Sequence, residues 1–143
     1  MFRSGRRLFS TAALLMLITA GLHTFGFFGP RQHSQEEVAA YSAMENLTLH
    51  KGDAHPSFGD VYFSLAMAMS VTFMAIGVLN LVLASSNEVS DNLLKRIGWV
   101  NFLWVTAFCI ESFHYQVPPP LISGIVIDVF ILAGLLLPSP KSS

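Results

Sequence analysis

Apolar residues in this chain are gathered into four long blocks, 8–28, 61–84, 97–113 and 121–137, joined by polar connections. Crossing ~30 Å of hydrocarbon takes about 20 predominantly apolar residues in a helix, with a range of roughly 17 to 25. All four blocks reach that range. Lipid cannot satisfy backbone N–H and C=O groups, so each block is predicted to be a helix that bonds its own backbone. The connection SSNEVSDNLLKRIG is short, and the link QVPPP is shorter still. Links of that length make spans two and three, and spans three and four, antiparallel neighbours. The expected fold is all-α: a four-helix transmembrane bundle, up-down-up-down, forming a single membrane domain over residues 1–143.

The one sizeable extramembrane segment is 29–60. Within it, SQEEVAAYSAMENL near 35–48 reads as a short amphipathic helix. Ser34 and Glu37 have the spacing of a capping box, and Val38, Tyr41 and Leu49 suggest a partly apolar face. LHKGDAHPSFGD then returns the chain to the membrane, its Gly and Pro marking turns. Pro118 to Pro120 cannot continue a helix interior, so the third span must end before them.

Composition sharpens this picture. The chain of 143 residues is 52% hydrophobic and 12% charged, against roughly 25% charged in soluble domains. A net charge of −1 leaves no basic stripe for nucleic acid. The partner the sequence requires is a lipid bilayer, with a membrane-protein partner or a second copy of the chain as further options. Cys109 is the only cysteine, so intramolecular disulfide and CxxC redox chemistry are excluded.

Charge also sets orientation. Arg3, Arg6, Arg7, Lys95, Arg96 and Lys141 fall on one side of the predicted spans, which is six of the eight Lys and Arg residues; Arg31 and Lys51 fall on the other. Cationic loops are retained in the cytoplasm. Both termini are therefore expected to be cytoplasmic, in what reads as a bacterial inner membrane. RSGRR followed by LFSTAALLMLITAGL also has the layout of a signal sequence. Signal h-regions run only ~7 to 15 residues, however, and this apolar run continues through FGFFGP, which favours a retained first span.

A charge at the centre of a span costs roughly 2.5 to 3.5 kcal/mol on insertion scales, so ionisable groups within the blocks imply partners. Glu111 and His114 are one helical turn apart at the end of span three. Asn101, Trp104, Phe108 and Glu111 follow at steps of three and four and are expected to face other helices. His23 lies about 8 Å inside the outer end of span one by helical rise, and Asp60 opens span two. His23, Asp60, Glu111 and His114 thus come to similar depths and make a candidate polar pocket at the outer mouth. Glu-x-x-His is the spacing of di-iron bundles, which need a second copy that is missing here. His23, Glu111 and His114 could hold a single metal, act as acid and base on an amphiphilic substrate, or simply form a hydrogen-bonded girdle. No cofactor is named by these residues.

Asp128, near the middle of span four, joins this candidate set. Thr106 lies at a comparable depth and could hydrogen-bond it, while Gly124 lets a neighbouring helix approach. Interhelical glue and a proton-carrying acid are both open readings. His50, Asp53 and His55 have ligand chemistry in a turn-rich loop and read as solvated. Asn80 and Asn101 are expected to bond to one another or to water. Ser64, Ala68 and Thr72, at intervals of four, suit close helix packing.

AGLHTFGF on span one, Ala43-Met44 in the loop helix and FGDVYFSLAMAMSVTFMAIGVLNLVLA on span two resemble a group of small bacterial membrane proteins. These have four predicted spans and a Gly-x-x-His-Thr-x-Gly-like motif closing the first. The resemblance covers the first two spans and implies a topology but no chemistry. A looser similarity to DoxX-like bundles rests on topology alone. The trimeric four-span glutathione-using proteins are a poorer match, because span two carries no Arg-x-x-x-Asn-x-x-Glu-type cluster. The leading expectation is a non-catalytic membrane module or complex subunit. A membrane-embedded enzyme using Glu111, His114 and His23, or a proton-coupled transporter using Asp128, stands as the alternative.

Overall fold

The computed structural model describes residues 3–28, 34–49 and 54–137. Five helices lie among them: α1 (Arg3–Phe28), α2 (Gln35–Asn46), α3 (Phe58–Ser85), α4 (Asp91–His114) and α5 (Pro118–Leu136). Four of these, α1, α3, α4 and α5, are long and apolar enough to cross a membrane, the pattern of a multi-pass membrane protein. Each extends past its predicted block at one or both ends, because polar residues near a span end can still satisfy the helix ladder while reaching water.

Backbone contacts divide the chain into two compact units, Met1–Thr19 with Phe73–Ser143, and Ala20–Thr72. In the first unit, α1 presents Phe9, Ala12, Ala13 and Met16 inward, the i, i+3, i+4, i+7 spacing of a single helix face. Phe9 meets Ala84 and Leu94 in a core cluster flanked by Leu83, Val89 and Ile97. Gly77 on α3 is pressed against α1, where an added Cβ would lie 2.8 Å from Leu17 Cδ2 and 3.0 Å from the Ala13 carbonyl oxygen. Between α4 and α5, Gly98 faces Leu135 and Gly124 faces Cys109, so the early part of α4 meets the late part of α5 and vice versa. In lipid, where apolar burial offers little driving force, small residues at such crossings gain dispersion contact between backbones.

The inward stripe of α4 is Leu94, Gly98, Asn101, Val105 and Ser112. Glu111 is exposed, contrary to the expected shared face. Successive residues turn by about 100°, so burying Ser112 swings its neighbour away. Trp104 and Phe108 instead flank the stripe on the α3 side, their rings 4.8 and 5.1 Å from that of Phe73.

α4 starts at Ser90, whose hydroxyl accepts from the Leu93 N–H at 3.2 Å. It ends in a Schellman turn: the Val117 N–H bonds to the Ser112 carbonyl at 2.9 Å and the Gln116 N–H to the Phe113 carbonyl at 3.1 Å. Gln116 takes φ 56°, the left-handed region that a Cβ disfavours. Gln116→Gly is accordingly expected to raise unfolding stability by about 1 kcal/mol, read as a shifted denaturant midpoint in mixed micelles. An unchanged or lower midpoint would contradict the strain assignment. The prolines are not the link itself: Pro118 opens α5, where a first-turn residue needs no N–H donor. The link is only Tyr115 to Val117.

In the second unit, α2 ends at Asn46 with no buried residue. Its capping box is present, with the Ser34 hydroxyl accepting from the Glu37 N–H at 3.1 Å and the Ser34 N–H donating to Glu37 Oε2 at 3.0 Å. Leu49 lies beyond the helix rather than on its face. It belongs to a short antiparallel closure in which its N–H bonds to the Pro56 carbonyl at 2.9 Å, and the Phe58 N–H bonds to the Leu47 carbonyl at 2.8 Å.

Candidate functional site

The residues singled out from the sequence fall into both units. In the second unit, His23 is half-buried on α1 and its Nδ1 is 2.8 Å from Ser70 Oγ on α3. Ser70 is buried, and it was invisible as a partner because it is one of many small polar residues on a span. The imidazole also meets the Phe27 ring at 5.1 Å, and Phe27 in turn contacts Tyr62 and Phe63. His23 is thus held between a hydroxyl and an aromatic wall.

Asp60 caps the helix that it opens. Its Oδ2 accepts from both the Ser57 N–H at 2.9 Å and the Ser57 hydroxyl at 2.8 Å, while the Asp60 N–H donates back to Ser57 Oγ at 3.0 Å. This is a reciprocal cap on the first turn of α3, where a carboxylate also complements the helix dipole. The signal was present in the sequence as Ser57-Phe58-Gly59-Asp60.

The other candidate polar residues of the first unit lie on α3, α4 and α5. Thr106 on α4 donates to Asp128 Oδ2 on α5 at 2.7 Å, the partnership expected from their depths. Asp128 Oδ1 is buried and makes no hydrogen bond. One turn away, Cys109 Sγ sits where a Cβ on Gly124 would lie at 2.6 Å, so the glycine lets the thiol side of α4 close over α5. Asn80 and Asn101 are 2% and 6% exposed. Of the two expected partners, each other or water, the direct bond is not made: Asn80 Nδ2 contacts Met16 Sδ at 3.8 Å, while Asn80 Oδ1 and Asn101 Nδ2 have no protein partner.

Glu111 and His114, at the end of α4, are both exposed. The His114 ring packs edge-on to Tyr115 at 4.9 Å. Among the described residues, no three His, Cys, Asp or Glu side chains are grouped to hold a metal ion. Of the loop residues with ligand chemistry, His50 and Asp53 lie outside the described residues, as do Arg31, Lys51 and Lys141.

Arg6, which the sequence offered only as a topological charge, makes four side-chain hydrogen bonds. Its Nε donates to Asp91 Oδ1 at 2.9 Å, its Nη1 to the Ser86 and Ala84 carbonyls at 2.8 and 3.3 Å, and its Nη2 to the Val89 carbonyl. It fastens the start of α1 to the α3–α4 connection. Nothing in the spacing of RSGRR distinguishes Arg6 from Arg7, which is exposed.

Comparison with family models, with curated proteins and with solved structures gives no match.

Proposed function

We propose that this chain is a non-catalytic membrane module, a subunit of a larger membrane assembly or of a homo-oligomer, built as an up-down-up-down bundle. Both termini would then lie on the cytoplasmic side of a bacterial inner membrane. One observation carries the functional reading: the side-chain hydrogen bonds within the spans, His23 with Ser70 and Thr106 with Asp128, each join two helices. Polar groups used in this way hold helices together. The orientation is supported by Arg6, whose bonds to residues 84–91 put the first cationic cluster at the same end as Lys95 and Arg96. The resemblance to small four-span bacterial proteins supports the same topology.

Native mass measurement and metal analysis of the detergent-purified chain test this reading. The expected result is a defined oligomer or a reproducible partner, without stoichiometric metal. Stoichiometric zinc or iron that disappears in Glu111→Ala, His114→Ala and His23→Ala would replace it with a metal-dependent membrane enzyme.

A second reading, proton-coupled transport through Asp128, is favoured by the unpartnered Oδ1 of that carboxyl. A neutral acid has a hydroxyl to donate, and a carboxyl that gains and loses this proton can drive transport. Full transport activity in Asp128→Asn would remove this reading.

A further inference from the structure

Unsatisfied polar atoms are rare in protein interiors, and each calls for a specific partner. Among its described residues the first unit has three, Asn80 Oδ1, Asn101 Nδ2 and Asp128 Oδ1, on α3, α4 and α5 respectively. They are not scattered. Thr106, which holds Asp128, is five residues along α4 from Asn101, or about 8 Å of helical rise. The Phe73–Trp104 contact sets the level of α3 against α4. From that level Asn101 is three residues, about 4.5 Å, and Asn80 seven residues, about 10 Å, toward the α3–α4 connection. Four residues beyond Asn80 comes the Ala84 carbonyl, which accepts from Arg6. Asn101 also lies at the middle of the α4 inward stripe, with Trp104 and Phe108 on its α3 side and Thr106 and Cys109 on its α5 side.

We propose that Asn80, Asn101 and Asp128 form a hydrated polar ladder inside the first unit, through which water reaches the Asp128 carboxyl from the end bearing the α3–α4 connection. The rungs are about 6 to 8 Å apart along the helix axes. One bridging water spans roughly 5.5 Å between two hydrogen-bonded atoms, and the amide side chains reach further along the gap. A water both donates and accepts, so it serves Asn80 Oδ1 and Asn101 Nδ2 together, whichever way either amide is turned. At the same end of the unit, an open recess is lined by Arg6, Asn87, Val89, Ser90 and Asp91. The Arg6 charge there is offset by Asp91 at 2.9 Å and by three carbonyls, so it does not stand alone against a proton. Apolar side chains at positions 80 and 101 would pack as well or better in a dry interior; amides with free atoms suit a wet one.

This inference rests on the reading of Asp128 as a neutral acid, and one measurement separates the two. The infrared C=O stretch of a protonated carboxyl is recorded for the full chain in lipid bilayers, assigned by its loss in Asp128→Asn, and followed after transfer to D2O. The expected result is fast exchange in the unaltered protein, slowed roughly tenfold or more in Asn80→Leu and Asn101→Leu, where an apolar gap interrupts the path. Asn101→Ser, which keeps a hydroxyl and leaves room for water, should exchange nearly as fast as the original. A band that exchanges at one rate in all four proteins overturns the ladder and leaves the acid reading in place. Absence of any band that Asp128→Asn removes overturns both.

Discussion

Phe73→Ala is expected to lower unfolding stability by about 3 to 5 kcal/mol, the range for deleting a buried aromatic side chain. Phe73 is 0% exposed and its ring is the common neighbour of Trp104 at 4.8 Å and Phe108 at 5.1 Å. Lipid cannot reach a site enclosed by two other rings, so truncation leaves the surrounding atoms without dispersion partners. Phe113→Ala is the control. That side chain is 73% exposed, and its removal should cost less than about 0.5 kcal/mol, as at other surface positions. Denaturant titration in mixed micelles measures both. Equal midpoints for the two variants would mean that the α3–α4 contact contributes nothing beyond lipid-facing surface.

The second large effect is expected at Arg6. Its side chain is 17% exposed, and the guanidinium bonds one carboxylate and three carbonyls. Arg6→Ala leaves those acceptors with only such water as enters the gap, at a cost of about 2 to 3 kcal/mol. Arg6→Lys keeps the charge but replaces a planar fork by a point donor, and should recover only part of the loss. Asp91→Asn removes the ion pair while leaving the carbonyl bonds, and should cost about 1 kcal/mol. If Lys restored full stability, or if 1 M salt removed the difference between Arg and Ala, the clamp would be an ordinary screened surface pair.

These two residues mark what was and was not readable from the chain. Phe73 sits in an apolar block whose helical state follows from length and composition alone, yet it is one of 12 phenylalanines and nothing local sets it apart. Arg6 was readable as a positive charge at a span start, whereas its role depends on carbonyls near residues 84–89, far along the chain. The Asp128–Thr106 bond was legible because depth in a span can be counted from its ends. Asn80 and Asn101 were expected to bond to one another or to water, and the direct bond is not made: depth is a single coordinate, and direct pairing needs the azimuth as well. Glu111 shows the same gap. Its spacing to Asn101, Trp104 and Phe108 is helical, but a stripe defined by threes and fours drifts around the helix, and Ser112 rather than Glu111 is inward. Asp60 carries a nearer signal as well, since Ser57, three residues before it, bonds its carboxylate at the start of α3.

By itself the sequence determined that four segments are helices long enough to cross a membrane, where the helix starting at Ser34 is capped, and that the third span stops short of Pro118. Each of these depends on hydrophobicity, backbone hydrogen bonding or capping within a few residues, and needs no knowledge of neighbours. Only the tertiary structure decided which face of each helix turns inward, that Arg6 rather than Arg7 holds the α3–α4 connection, and that Asn80, Asn101 and Asp128 retain free polar atoms in the interior. Those outcomes depend on rotation about helix axes and on contacts between residues tens of positions apart, which local pattern does not encode.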